Sequence, residues 1–526
     1  MRLFLFAIGG TGARVVRSLT MMLASGIKGL DSLTEIIPVI IDYDLSNADK
    51  TRAVRALDKY SQIHSSLYPD AGGQGVNYND NFFMTKLTPL RNAGIADAQN
   101  LQAAGIVDAQ DLQAEYELFF GPAGTAIKFT DYLGLSSMQA KPNEKVTLDL
   151  LNALYDDSDQ NDRNAELNLE LTLGFKGRPN IGSVVFHELR STPELQKFFR
   201  TYNATKGDRV FIVSSIFGGT GSSGFPEIVN AIRTHQNPNV RDAIIGATVV
   251  LPYFGLGTPD LTTGDTGAVD AGSFASKSVA ALTYYHNSLN NKINSIYYVG
   301  DENIDDYDYS EGSTRQENRA HIVEFVAATS IIDFMKRNVG ANDHHAFEYG
   351  IKDERKGGAI KLEDFYDESK TAYLDNLSEF ALAVKYYRDV VCGDRNRVKT
   401  STAFYSPKAF ALNGKLGQGV FKLFDDFIDV DYNNGQKGHW GFYPWLDEML
   451  KHNHKLHLYN IDKSLKINNI LAHKVVKGGT FSPPATSDDN ITSCMNVKSD
   501  KLPAYDDKAF FKALREVARE IYNKVR

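Results

Sequence analysis

The chain has 526 residues, of which 42% are hydrophobic, 11% aromatic and 23% charged, and its 57 Lys and Arg against 65 Asp and Glu leave a formal charge of −8. That length suits about three domains, or two with sizeable insertions, and an acidic balance with interspersed signs argues against nucleic-acid or membrane-surface binding. The two cysteines, Cys392 and Cys494, leave no disulfide framework or cysteine-based zinc site.

Leu3–Ile8 is an unbroken apolar run and predicts a strand covered on both faces. A secretory signal is the competing reading, but Arg14 and Arg17 stand where a small-residue cleavage site belongs. No stretch reaches the ~18 uncharged apolar residues that cross a bilayer, so a cytoplasmic protein is expected. Gly9-Gly10-Thr11-Gly12 joins the first strand to an amphipathic helix over Ala13–Ser25, and Ile36–Ile41 predicts a second strand. Strands alternating with helices imply an α/β fold with a Rossmann-like parallel sheet.

Between about 51 and 165 the periodicity loosens. This stretch holds a Gly-rich segment, 70–76, and a tandem echo in which 93–103 is nearly repeated by 104–114. Two copies are too few for a solenoid, and the pair reads as helical turns capped by Asp97 and Asp108 on an insertion. Alternation resumes with strand Arg209–Ile216, helix Phe225–Thr234, strand Ala243–Leu251, helix Lys277–Asn291, strand Ser295–Val299 and a long helix, Arg319–Arg337. Phe347–Lys352 and Ala359–Leu362 flank Lys356-Gly357-Gly358 as an expected hairpin. The last helix, Asp506–Val525, sets Phe510, Leu514, Val517, Ile521 and Val525 on one face, which suits docking on its own core or on a partner.

A glycine segment between strand and helix lets backbone approach a phosphate, and the helix start offers unpaired N–H groups. The same residues also suit a plain tight turn. The first segment lacks the Gly-Lys-Ser/Thr ending of a Walker loop and departs from G-x-G-x-x-G, although Asp42 and Asp44 end the second strand where a dinucleotide fold holds a ribose. The second, Gly218-Gly219-Thr220-Gly221-Ser222, again follows an apolar strand, and a dinucleotide fold has no use for two such cradles.

These five residues match the Gly-Gly-Thr-Gly-Ser/Thr signature of the tubulin/FtsZ superfamily, which the chain resembles in further landmarks taken in order. Gly9–Gly12 resembles the first phosphate loop, and Asp42-Tyr43-Asp44 the Asn-Thr-Asp loop. Gly174 to Gly182 resembles the γ-phosphate-sensing loop, with Gly177 displaced by one residue. Val249 to Phe254 and Tyr297 to Asn303 resemble the strand ends near the ribose and before the central helix. Pro226 has a counterpart in the bacterial members. The abbreviated signature is closer to divergent bacterial tubulin-like proteins, some of them associated with conflict or defence gene clusters.

The resemblance implies a nucleotide-binding domain over 1–318, with about 51–165 as an insertion, a central helix over 319–337 and a smaller α+β domain over 338–526. It implies GTP/GDP and Mg²⁺. Gly9, Gly10, Thr11, Gly12 and Arg14 would serve the first loop, Gly177 and Arg178 the sensing loop, and Gly218, Gly219, Thr220, Gly221 and Ser222 the signature loop. Asn318 is the implied base reader. Asp44 (through water) and Thr220 are the implied Mg²⁺ contacts, with helix N-capping as the alternative for Asp44 and a surface position as the alternative for Arg178. Ala13, Arg14, Phe217 and Ser223 depart from the family's residues.

In polymerising members an acidic loop completes the neighbouring subunit's GTPase site. Asp364 and Asp367 are the implied counterparts here, or else carboxylates that start a helix. His344-His345 and the His452, His454, His457 series lack the cysteines or i, i+4 pairing of a metal site. The expected function is therefore a tubulin-like GTPase assembling head-to-tail into protofilaments. The alternative is a nucleotide-binding switch or interaction component of a bacterial defence system, with a protein partner on the insertion or the C-terminal helix. A dinucleotide-dependent oxidoreductase, resting on the first segment alone, is a third reading.

Overall fold

Six successive apolar residues, Leu3 to Ile8, are completely buried because the strand that contains them is paired on both edges and covered on both faces. This strand, β1, spans Arg2–Ile8. The computed structural model describes residues 1–27, 30, 32–44, 46–69, 81–92, 116–118, 127–139, 141–155, 166–171, 174–256, 274–302, 305–307, 318–351, 358–361, 364–365, 373–392, 416–433, 438–457, 460–461, 467–469, 491, 494–495 and 507–525. The next strands are β2 (Glu35–Ile41), β3 (Glu117–Leu118), β4 (Arg209–Ser215), β5 (Ile244–Val250) and β6 (Phe254–Leu256). They are followed by β7 (Ser295–Val299), β8 (Asp305–Tyr307), β9 (His345–Glu348), β10 (Gly358–Lys361) and β11 (His454–His457). Seven of them form one all-parallel sheet in the order β3–β2–β1–β4–β5–β7–β9. The architecture is α/β, as the alternation predicts.

Helix α1 (Gly9–Ala24) follows β1, and α2 (Ala48–Leu67) follows β2, so residue 51 lies inside α2. The chain then supplies edge strand β3, the short helices Phe129–Leu133, Leu135–Gln139 and Lys145–Leu154, and helices α3 (Pro179–Phe186) and α4 (Pro193–Thr201). It returns to place β4 beside β1. Helices α5 (Gly219–Arg233), α6 (Phe274–Leu289) and α7 (Ile322–Lys336) complete the crossovers. Helix α1 packs with α2 and α7, and α5 with α3 and α6. Right-handed crossovers leading in opposite directions from β1 and β4 put α1 and α5 on opposite faces, and α7 lies on the side of α1.

Both α1 and α5 start earlier than their periodicity predicts, at Gly9 instead of Ala13 and at Gly219 instead of Phe225. The glycine segments are first helical turns. Pro226 sits inside α5 without an N–H for the Ser222 carbonyl, and the Tyr285 hydroxyl donates to that carbonyl instead, at 3.1 Å. Helix α7 starts at a capping box in which His321 accepts from Val323 N and Glu324 accepts from His321 N.

Among the described residues, the two strands of the expected hairpin do not pair with each other. β9 joins the main sheet beside β7, while β10 pairs in parallel with β11. Phe347 draws its strand to the sheet edge, stacking on Tyr297 at 4.9 Å beneath the Arg337 guanidinium. The C-terminal half adds α8 (Asp375–Tyr386), α9 (Gly419–Ile428), α10 (Phe442–Glu448) and α11 (Asp507–Val525). Helix α11 packs on α8 and buries Phe510, Leu514, Val517 and Ile521, so this apolar face docks on the chain's own core. Buried Arg515 donates to the carbonyls of Gly26 and Asn81. One contiguous apolar cluster runs from Leu3 to Ile521. Residues 70–76, the tandem echo with Asp97 and Asp108, and Asp367 lie outside the described residues. Among the described residues, no helix is long and apolar enough to cross a membrane.

Candidate functional site

The sheet order reverses between β1 and β4, since β1 leads to β2 on one side and β4 leads to β5 on the other. In open α/β sheets the crevice beyond the strand carboxyl ends at such a point is where ligands bind. Ile8 and Ser214 are register partners there, so the first turns of α1 and α5 lie side by side. Gly9, at φ +72°, turns the chain from strand to helix in one residue. A Cβ on Gly9 would sit 3.5 Å from the Thr220 Cβ, and one on Gly219 would sit 2.9 Å from the Phe175 Cβ and 3.0 Å from Gly177 N. Segments 9–12, 174–178 and 218–222, far apart in sequence, therefore touch one another. The loop after β2 joins them, its Tyr43 ring lying 5.1 Å from that of Phe175.

Neither α1 nor α5 has a side-chain cap or an acidic residue in its first turn. The first bond of α5 runs from Ser222 N to Gly218 O at 3.1 Å, leaving the N–H groups of Gly219, Thr220 and Gly221 without intrahelical acceptors. The start of α1 leaves those of Gly9, Gly10 and Thr11 in the same condition. Two dipole-positive helix ends and these donors suit an oxyanion. The Ser222 and Ser223 hydroxyls donate inward to the carbonyls of Gly218 and Gly219, whereas the Thr220 hydroxyl has no hydrogen-bond partner among the described residues. Gly12 lies close on β1, and a Cβ there would come within 2.8 Å of the Ala7 carbonyl carbon. Its absence lets α1 lie on the sheet. Half-buried Lys176 and Arg178 flank the cluster, Arg178 at the N-cap position of α3.

Asp44 is buried and accepts from the backbone and hydroxyl of Ser46 at 3.0 and 3.1 Å. The cap of α2 is Asn47, not Asp44. Neighbouring Asp42 is pushed up to about 7 by burial, with Lys50 acting in the opposite direction. Among the described residues, no three His, Cys, Asp or Glu side chains gather as a metal site. His452 bonds to the Ala320 carbonyl at 2.9 Å and His454 to Asp301 at 2.5 Å.

Arg14 points into a buried ion network next to the cluster. Its Nε donates to Glu324 (2.5 Å), Nη1 to Asp49 (2.5 Å), and Nη2 to the Tyr253 hydroxyl (2.8 Å) and the Thr11 hydroxyl (3.3 Å). Asp49 also accepts from Arg52 (2.7 Å) and from Asn318 N (3.0 Å), and the Asn318 side-chain amide donates to it at 3.3 Å. Glu448 of α10 accepts from Arg17 (2.8 Å), Arg52 (2.9 Å) and Ala320 N (2.9 Å). Burial opposes ionisation of Glu448, but Arg17 and Arg52 outweigh it and its pKa is lowered. Three guanidinium groups thus face three carboxylates, all six side chains at most 12% exposed.

Sequence reasoning missed Asp49, Arg52, Glu324 and Glu448. The available signal was Arg14 and Arg17 one turn apart in a helix with no other charged residue, which requires counter-charges where that helix is buried. Phe217 packs on Phe254 at 5.4 Å. Asp364 is 3% exposed, beside Phe365, whose ring meets Phe325 of α7 at 6.1 Å. No model of a known protein family matches the chain, and comparison with curated proteins gives no match either.

Proposed function

We propose that the chain is a tubulin-like nucleotide-binding protein that holds GTP by its phosphates at the glycine cluster. The observation carrying this reading is the meeting of segments 9–12, 174–178 and 218–222 at the switch point, where two uncapped helix starts converge. In this reading the N–H groups of Gly9 to Thr11 and of Gly219 to Gly221 bind phosphate oxygens. The Thr220 hydroxyl and Asp44 serve phosphate-bound Mg²⁺, a hard cation that keeps several waters. Bound Mg²⁺ would neutralise phosphate charge, and positioning with charge stabilisation is most of what phosphoryl transfer requires.

Identifying the nucleotide that co-purifies with the protein tests the assignment. A guanine nucleotide supports it, whereas a tightly held NAD without GTP binding supports the oxidoreductase reading. Thr220→Ala removes a bond to a charged group worth about 1.5–3 kcal/mol, so GTP affinity measured by calorimetry should fall about tenfold or more. Unchanged affinity would remove Thr220 from the site.

Filament assembly is the further part of the proposal, and the burial of Asp364 favours the switch reading over it. A residue that completes a neighbour's site has to be exposed, and Asp364 is not. GTP turnover per molecule that rises with protein concentration, together with GTP-dependent sedimentation, supports assembly. Turnover that is flat with concentration, without sedimentation, supports the switch.

A further inference from the structure

A cleft of about 410 Å³ opens at the end of the sheet opposite the glycine cluster. Its walls come from the chain entering β4 and from residues 235–239, just before β5. A seven-residue strand is roughly 20 Å long, so this cleft and the glycine cluster are separate places. Its volume falls within the usual range for small-molecule sites, about 300–1,000 Å³.

Donors predominate in the cleft, the exception being Gln196, whose amide donates to the Arg190 carbonyl at 2.8 Å and so leaves its side-chain oxygen as an acceptor. Asn203 Oδ1 accepts from the backbone and hydroxyl of Thr205, and Asn237 Oδ1 accepts from Asn239 N at 3.0 Å. Backbone donors fix both amides, so each side-chain oxygen is committed and each NH₂ is left without a partner among the described residues. His235 Nδ1 accepts from Asn237 N at 3.1 Å, which puts the proton of the neutral ring on Nε2. The exposed Arg200 guanidinium likewise has no partner among the described residues. Asn239 has both ends occupied, by Ala204 N and the Tyr202 carbonyl. No Asp or Glu lines the cleft. It therefore presents mostly donors and one positive charge, against an apolar wall in which the Phe199 and His235 rings lie 4.4 Å apart.

We propose that this cleft binds a small phosphorylated or carboxylated molecule. The oxyanion is held by Arg200 and the side-chain amides of Asn203 and Asn237, and the body lies against Phe199 and His235. An oxyanion accepts several hydrogen bonds at once, and bonds to a charged partner are the strong ones. A neutral ligand would leave most of these donors unused.

The test uses phenyl phosphate as the probe, titrated calorimetrically into the full chain. Asn203→Asp with Asn237→Asp keeps the acceptors that fix both turns but replaces two donors with negative charge. The wild type should show saturable binding that the Thr220→Ala variant retains. The double variant should bind at least about tenfold more weakly with an unchanged melting temperature. If the double variant unfolds, Arg200→Gln, on an exposed side chain, should give the same loss. Absence of saturable binding to the wild type overturns the proposal. So does equal affinity in the cleft variants, or a binding event that only Thr220→Ala abolishes. GTP binding intact in the cleft variants keeps this outcome separate from that of the glycine cluster.

Discussion

A single carboxyl sets a pH signature next to the glycine cluster. Asp42 titrates near 7 in the folded chain against 3.8 when unperturbed, with Lys50, Asp44, Glu117 and the Asn47 amide around it. A raised folded pKa means that its contribution to stability is full below about pH 4 and is lost as pH rises to about 7. Asp42→Asn should remove that loss, so the variant should be the more stable at pH 8, with the gap narrowing toward pH 4 in urea unfolding. His64, pushed down to about 4 by burial, acts with the opposite sign, and the difference between variant and wild type cancels its effect. Gly12 gives a second test at this scale. Gly12→Ala drives a methyl against the β1 backbone and should destabilise the protein by about 1–3 kcal/mol, more than Ala for Gly usually costs in a helix.

At the scale of elements, Glu448 holds α1, α2 and the start of α7 with one carboxylate. Glu448→Ala leaves Arg17 and Arg52 buried without that counter-charge and should cost about 3–5 kcal/mol in chemical unfolding. Changing Glu448 and Arg17 together to Met should cost less than Glu448→Ala alone, because the uncompensated charge goes with its partner. The elements themselves were largely legible. Period and run length marked β1, β2, β4, β5, β7 and α7 to within a few residues, since buried parallel strands must be apolar throughout. The helix starts at Gly9 and Gly219 were hidden because helix propensity penalises glycine, whereas close packing on the sheet requires it. The hairpin expected after 347 failed for another reason. Local turn chemistry cannot register Tyr297, fifty residues earlier, which takes Phe347 to the main sheet.

At the scale of the molecule, the sequence brought the glycine segments into view but not the partners of Arg14, which come from α2, the end of β5, α7 and, through Arg52, α10. The contact of Arg52 with Glu448 crosses what the sequence divides at residue 338. Trp445 donates to Ser18 at 3.0 Å, Arg17 reaches Glu448 and the Trp440 carbonyl, and Arg515 reaches Gly26. The C-terminal half thus covers the outer side of α1 and α2 in the same apolar cluster. A chain ending at residue 337 should aggregate or bind a hydrophobic dye. A soluble truncated chain with the wild-type near-ultraviolet circular dichroism would show that the first half folds alone.

The long excursion between β2 and β4 also governs when the glycine cluster can exist. Leu3 pairs with Arg209, so one edge of β1 has no partner until β4 has been synthesised. At about 5–20 residues per second, roughly 10–40 s pass between the two. Throughout that interval the nascent chain carries an unmatched apolar strand edge. The proposed phosphate binding requires Gly9 to meet Thr220, and so it cannot precede synthesis of the first turn of α5. Slowed translation or chaperone shortage should reduce the soluble yield before any effect on the activity of the molecules that do fold.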